Sequence, residues 1–311
     1  MTLSQEMRFG YVLPCRSWEP IDMQSVRNVA QRADALGFDD LWVTENTLDD
    51  SFSLDATVIL TYAAALTTRI RLGSSVVVLP QHSPVQIAHQ WATLDYASDG
   101  RAILGVGLGR PNHYASFGVP VEHRVGRFVE AIDVIKTLWT QPHPNFHRRY
   151  FNVEHGMQLR PVQQPHPPIW LGGSHPDAIR RAAKVADGWM AAGGAGKAIM
   201  AEAVPLLHEA LAQAGRDPKT FPISKRVFMS VHEDASKAKT EALRWFTEVY
   251  HNPAMLETNS FYGTPSQARE YIEEMHDIGA THLLLNPIAR YEEQLEALAE
   301  VVGFAHQDVA L

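Results

Sequence analysis

Eight short runs of apolar and β-branched residues, separated by longer segments with helical spacing, constrain this chain more than any other feature of its sequence. The runs are Arg8–Leu13, Asp40–Thr44, Arg71–Leu79, Ala102–Val106, Ile169–Leu171, Gly188–Ala191, Ile223–Val231 and His282–Leu285. Strands that alternate with helices are joined by crossovers and therefore run parallel. Runs that are apolar nearly throughout suit strands covered by helices on one face and by a barrel interior on the other. The chain has 311 residues, and a barrel of eight β/α units commonly takes about 250. The pattern predicts an α/β fold, a (β/α)₈ TIM barrel forming a single unit over residues 1–311.

The helices are punctuated by residues that start and stop them. Asp22 stands as an N-cap before a stripe of Val26, Val29, Ala30, Ala33 and Leu36, with Gly37 at the end. Ser83-Pro84 and Thr264-Pro265 each place a capping residue before a proline at the first helical position. Residues 141–168, between the fourth helix and the fifth strand, break the rhythm. They are rich in Pro and His, with extended pieces around Arg149–Val153 and Met157–Leu159. They read as an insertion carrying a hairpin, expected to overhang the mouth of the barrel, since long loops on a regular scaffold are often functional.

Composition narrows the function. The formal charge of −8 disfavours nucleic acid as a partner. The single cysteine, Cys15, excludes an intrachain disulfide and any site of paired thiolates. No run approaches the roughly 20 apolar residues of a membrane span, and no leader segment stands at the start. A cytoplasmic protein is expected. The fifteen histidines do not fall at metal-ligand spacing, so no metal is expected.

Reactive groups of such barrels sit at the C-terminal ends of the strands, and several residues fall there. Glu45 and Asn46 end the second strand, where they can hold a ring edge or simply solvate the strand end. His82 lies just past the third. Gly105, Gly107 and Gly109 precede Arg110 in a turn that either opens the backbone to a flat ring or only tightens the rim. An arginine stands where the third glycine of a G-x-G-x-x-G fingerprint would be, so a dinucleotide turn is excluded. Gly172, Gly173 and Ser174 join the fifth strand to a helix. Their free N–H groups suit a phosphate, but Ser174 with Asp177 also matches a capping box.

The stretch Ile70–Gly109, IRLGSSVVVLPQHSPVQIAHQWATLDYASDGRAILGVGLG, resembles the luciferase-like monooxygenase family of flavin- and coenzyme F420-dependent oxidoreductases. Gly37–Glu45 (GFDDLWVTE), Phe117–Trp139 with its FGVPVEHRVGRF opening, Pro161–Gly173 (PVQQPHPPIWLGG) and Ala186–Trp189 (ADGW) resemble it in the same order. The resemblance implies a (β/α)₈ barrel with an insertion after the fourth helix, and usually a homodimer. It implies a non-prolyl cis peptide between Ser75 and Val76 behind the cofactor ring. Cofactor contacts would fall on Glu45, Asn46, Ser75, Val76, Gly107, Gly109 and Arg110, with Gly172, Gly173 and Ser174 at the phosphate.

Two positions depart from the family pattern. Many F420-binding members carry Asp-His where this chain has Glu45-Asn46, which leaves His82 or His113 for proton transfer. The F420-dependent sugar-phosphate dehydrogenases carry an acid where this chain has Arg110. Trp18, His113 and Tyr114 are placed as walls of a substrate pocket. The resulting expectation is an oxidoreductase that uses F420 to transfer hydride to or from a small organic molecule. The alternatives are an FMN-dependent monooxygenase served by a separate flavin reductase, and a flavin-binding protein without turnover.

Overall fold

The computed structural model describes residues 2–304. The expected single unit also takes in residue 1 and residues 305–311, which lie outside the described residues.

Eight strands form a closed parallel ring. They are β1 (Arg8–Val12), β2 (Asp40–Val43), β3 (Arg71–Ser74, resuming at Val77–Val78), β4 (Ala102–Gly107), β5 (Ile169–Gly172), β6 (Gly188–Ala191), β7 (Ile223–Val231) and β8 (His282–Pro287). Each pairs in parallel with its successor, β8 returns to β1 with Arg8 opposite His282, and β4 meets β5 with Leu104 opposite Ile169. All eight expected strands are present, and the ring is the expected (β/α)₈ barrel.

The interior is filled by large rings facing glycines. Trp42 and Trp170 lie with centroids 5.2 Å apart. A Cβ on Gly10 or Gly73 would come within 2.5 Å of the Trp42 side chain, and one on Gly188 within 2.7 Å of Trp170. Glycine in a strand normally weakens it, but here its missing side chain admits an indole and keeps the interior packed.

Helices α1 (Met23–Leu36), α2 (Ala56–Leu66), α3 (Pro84–Ala97), α4 (Arg124–Thr140), α5 (Pro176–Val185), α6 (Lys197–Gln213), α7 (Ala235–Glu248), α8 (Pro265–Asp277) and α9 (Tyr291–Val302) surround the ring. The Asp22 side chain accepts from Gln24 N at 2.9 Å, Val26, Val29, Ala30, Ala33 and Leu36 are buried, and Gly37 ends α1 in the left-handed conformation. Asp22→Ala is expected to cost about 1 kcal/mol through the lost cap, read as a small drop in the urea midpoint at unchanged slope. Thr264 and Gln267 form a capping box at α8, whereas Ser83 makes no side-chain cap at α3.

Three local expectations are corrected. The predicted continuous strand Arg71–Leu79 is broken. The Ser75–Val76 peptide is cis, as the resemblance implies, the ladder lapses there, and residues 79–81 form a 3₁₀ turn. The hairpin of the insertion pairs Phe146–His147 with Asn152–Val153, and Met157–Leu159 forms no strand.

The insertion also contributes nothing to the lining of the cavity at the barrel mouth. Its backbone is tied to the helices instead. Glu130 accepts from the amides of Tyr150 and Phe151 at 2.8 Å, and Asp95 accepts from Gln163 N at 2.9 Å and Gln163 Nε2 at 2.6 Å. A further strand, Ser260–Gly263, runs beside the outer end of β7, and Arg16–Ser17 pairs with Phe52–Ser53; neither was evident in the apolar pattern.

Candidate active site

The C-terminal ends of the strands enclose a cavity of about 670 Å³, within the range of small-molecule and cofactor sites. Its lining gathers Glu45, Asn46, Ser75, Val76, Gly107, Gly109, Arg110, His113, Gly172, Gly173 and Ser174, so eleven residues from separate stretches of sequence meet in one place.

Val76 stands between two glycine strands. A Cβ on Gly107 would lie 2.7 Å from Val76 Cγ2, and one on Gly172 would lie 3.0 Å from Val76 Cγ1. The break in β3 therefore pushes a side chain into the mouth, and only glycine on β4 and β5 leaves it room. The result is an apolar wall with bare backbone on both sides, a surface suited to a flat ring.

At the end of β5 the expected capping box does not form. Ser174 Oγ accepts from Ala192 N at 2.9 Å, while His175 Nδ1 caps α5 by accepting from Asp177 N at 3.2 Å. Ser174 is drawn to the neighbouring strand end because Ala192 follows β6 directly. The amide of Gly173 is taken by Met190 O at 3.0 Å. Among the described residues, the amides of Ser174 and His175 find no acceptor. They remain open at the start of a ten-residue helix, where an anion is favoured.

Three expected site residues lie outside the lining. Trp18 packs edge-on against Trp245 with centroids 5.7 Å apart, under the Arg244 guanidinium. Tyr114 is wholly buried and its hydroxyl donates to Leu108 O, so it braces the turn after β4 instead of walling a pocket. His82 stands behind Glu45. Its Nε2 lies 2.6 Å from Glu45 Oε1, and Glu45 Oε2 accepts from Val78 N at 2.5 Å. Burial favours the neutral His82 ring, but the hydrogen bond to Glu45 and the charge of that carboxylate outweigh it and raise the pKa.

The sequence reading missed the arginine at the base of the site. Arg226, on β7, lines the cavity, donates from Nη1 to Ser75 O at 3.3 Å and leaves its Nε buried without a partner. Gly193 makes room for it, since a Cβ there would lie 2.6 Å from Nη2. The adjacent Lys225 is buried and donates to the carbonyls of Ala192 and Gly193, both at 3.1 Å; burial, then repulsion by Arg226, pushes its pKa down to about 7. Two consecutive cations inside a largely apolar strand were the available signal.

Charge in the cavity runs against that of the whole chain. Four arginines, Arg16, Arg110, Arg181 and Arg226, line it against two carboxylates, Glu45 and Asp49. Asp49 is taken up by Arg16 at 2.5 Å. Among the described residues, the guanidinium groups of Arg110 and Arg181 make no hydrogen bond or close ion pair, although the charge of Asp177 is felt by Arg181. A mouth with free guanidinium groups attracts an anionic ligand into a protein that is acidic overall.

The sequence profile of the family described as luciferase-like monooxygenase matches residues 7–283. The chain belongs to that family. It is 28% identical over 253 residues to an F420-dependent glucose-6-phosphate dehydrogenase of Kineococcus radiotolerans, covering 78% of this chain and 74% of that protein. Among solved structures, it is similar to an F420-dependent secondary alcohol dehydrogenase in complex with an F420-acetone adduct, with a TM-score of 0.83 and 21% identity over 95% of this chain and 98% of that one. It is also similar to the FMN-bound oxygenating constituent of 3,6-diketocamphane monooxygenase from Pseudomonas putida, with a TM-score of 0.79 and 16% identity over 98% and 100%. These structural likenesses establish the shared fold. Among the described residues, no helix is long and apolar enough to cross a membrane.

Proposed function

We propose that this family member is an F420-dependent oxidoreductase that exchanges hydride with a small organic alcohol or carbonyl compound. The observation that carries the reading is the Val76 wall between Gly107 and Gly172, set beside open amides and unpaired arginines. The wall would hold a planar ring, and the open amides of Ser174 and His175 would hold the cofactor's phosphate. Arg110 and Arg181, which line the cavity, would hold the acidic tail of F420. The F420-dependent relatives support the choice of cofactor.

Bound F420 would supply a two-electron carrier that takes or gives hydride at its C5 and does not require oxygen. The chain itself orients and shields. Arg226 supports the carbonyl of Ser75 and so holds the wall in place. Met190 and Phe228 add apolar surface to the lining, which helps keep water from the reacting atoms. Arg110 replaces an acid at the rim, so a sugar phosphate is not the proposed substrate.

Titration of the purified protein with F420 and with FMN, followed by ring fluorescence, tests the reading. Saturable binding of F420 and none of FMN is expected. Tight binding of FMN alone would replace the proposal with a monooxygenase fed by a flavin reductase.

A further inference from the structure

We propose that Glu45 and His82 form a proton conduit that links the cavity to bulk water outside it. The inference rests on the proposed oxidoreductase function and assigns the route of the proton that accompanies hydride transfer.

Glu45 is part of the cavity lining and its side chain is only 8% exposed. His82 is absent from the lining, yet its side chain is 30% exposed. The histidine therefore meets solvent while standing outside the lining. The two meet at 2.6 Å, a distance over which a proton moves readily between charged partners. Val78 N holds the other carboxylate oxygen at 2.5 Å, which fixes the rotamer. Each carboxylate oxygen retains a second lone pair, so Glu45 can still accept from the cavity side.

The geometry also accounts for a departure from the family pattern. Asn46 stands where many F420-binding members carry histidine, and its amide donates to Thr44 Oγ1 at 3.0 Å. An amide serves as neither acid nor base at neutral pH, whereas the carboxylate beside it can accept a proton.

In the oxidising direction the carbinol C–H bond breaks, and its electron pair leaves with the hydrogen to C5 of bound F420. The O–H bond breaks as the C=O bond forms, and the proton from oxygen bonds to Glu45. That proton, or its equivalent, passes from Glu45 Oε1 to His82 Nε2 while Nδ1 releases one to water. The carboxylate is restored and the ring is left as its Nε2–H tautomer; it regains the Nδ1–H tautomer by exchanging protons with water before the next turnover, and nothing beyond F420 and water is consumed. His82 touches no substrate and acts through Glu45. The charged groups that bear on it are Glu45, from the end of β2, and Asp55, which caps α2.

The test uses the protein loaded with F420 and a panel of small secondary alcohols led by propan-2-ol. Reduction is followed by stopped-flow absorbance, proton release by a pH indicator, and F420 affinity by fluorescence. In His82→Gln, reduction is expected to slow about tenfold, proton release to lag, and added imidazole to restore part of the rate, with F420 affinity unchanged. His82→Asn serves as a second variant if the first does not fold. Independently of turnover, the histidine NMR signal that vanishes in the variant is expected to titrate at lower pH in Glu45→Gln than in the parent.

A variant with the parental rate and pH profile, or a His82 signal unmoved by Glu45→Gln, overturns the conduit while leaving F420 binding intact. Failure of the parent protein to bind F420, or to reduce it with any alcohol of the panel, overturns the proposed function and the conduit together.

Discussion

Asp40→Ala is expected to lower the thermal midpoint by on the order of 10 °C, measured by circular dichroism, while F420 affinity at low temperature is unchanged. Asp40 opens β2 and is wholly buried. One carboxylate oxygen accepts from Arg71 at 2.8 Å; the other lies 2.8 Å from His282 Nε2 and accepts from Trp42 Nε1. His282 Nδ1 lies 2.8 Å from Ser224 Oγ, so strands β2, β3, β7 and β8 are joined at the end of the barrel away from the cavity. Removing Asp40 leaves the buried Trp42 and His282 donors without a partner or water, at a cost of about 3–5 kcal/mol.

The same network fixes the direction of acid sensitivity. Burial alone would raise the Asp40 pKa, but the His282 ring, its hydrogen bond and Arg71 outweigh it and hold the carboxyl well below the usual range. A group depressed in the folded state contributes its full stability above the unfolded value near 3.9. The contribution is lost as pH falls through the folded-state value. The contribution of Asp40's own ionisation is therefore constant between pH 5 and 8 and falls away only under strongly acidic conditions.

Gly107→Val is expected to weaken F420 binding by at least about a hundredfold, measured by fluorescence titration. Even the first added carbon would lie 2.7 Å from Val76 Cγ2, so Val76 or β4 must shift, and a branched side chain takes space that the ring needs. Overpacking of this kind costs about 1–3 kcal/mol within the protein alone, and the blocked ring contact adds to it. A variant that folds and still binds F420 as the parent does would show that the wall is not where the ring lies.

Much of the fold was legible in the sequence because burial on two faces writes a strand as an unbroken apolar run. Ile223–Val231 and Gly188–Ala191 were read with their observed limits. The break in β3 was not legible from the pattern, since Val76, Val77 and Val78 look like strand whatever their pairing; the resemblance alone pointed to it. The placement of the insertion was hidden for a different reason. Its position is decided by Glu130 and Asp95, whose carboxylates meet backbone amides some 20 to 68 residues away in sequence.

The site was legible as a list of positions at strand ends, and eleven of them do share one cavity. Glycines were identifiable because a backbone that must pass close to something tolerates no Cβ. Arg226 was missed because strand reading counts apolar neighbours and discounts the two charges among them. Trp18 and Tyr114 were misplaced because a large ring near a strand end packs inward as readily as it lines a mouth.

By itself, the sequence determined the order of strands and helices, the closed parallel ring that follows from their count, and the end at which chemistry gathers. Those depend on local periodicity and on turns between neighbouring segments. Only the tertiary structure decided which polar groups meet. Glu45 with His82, Arg226 with Ser75 and Asp40 with His282 are paired by strand register and barrel closure, which bring together residues 37, 151 and 242 positions apart.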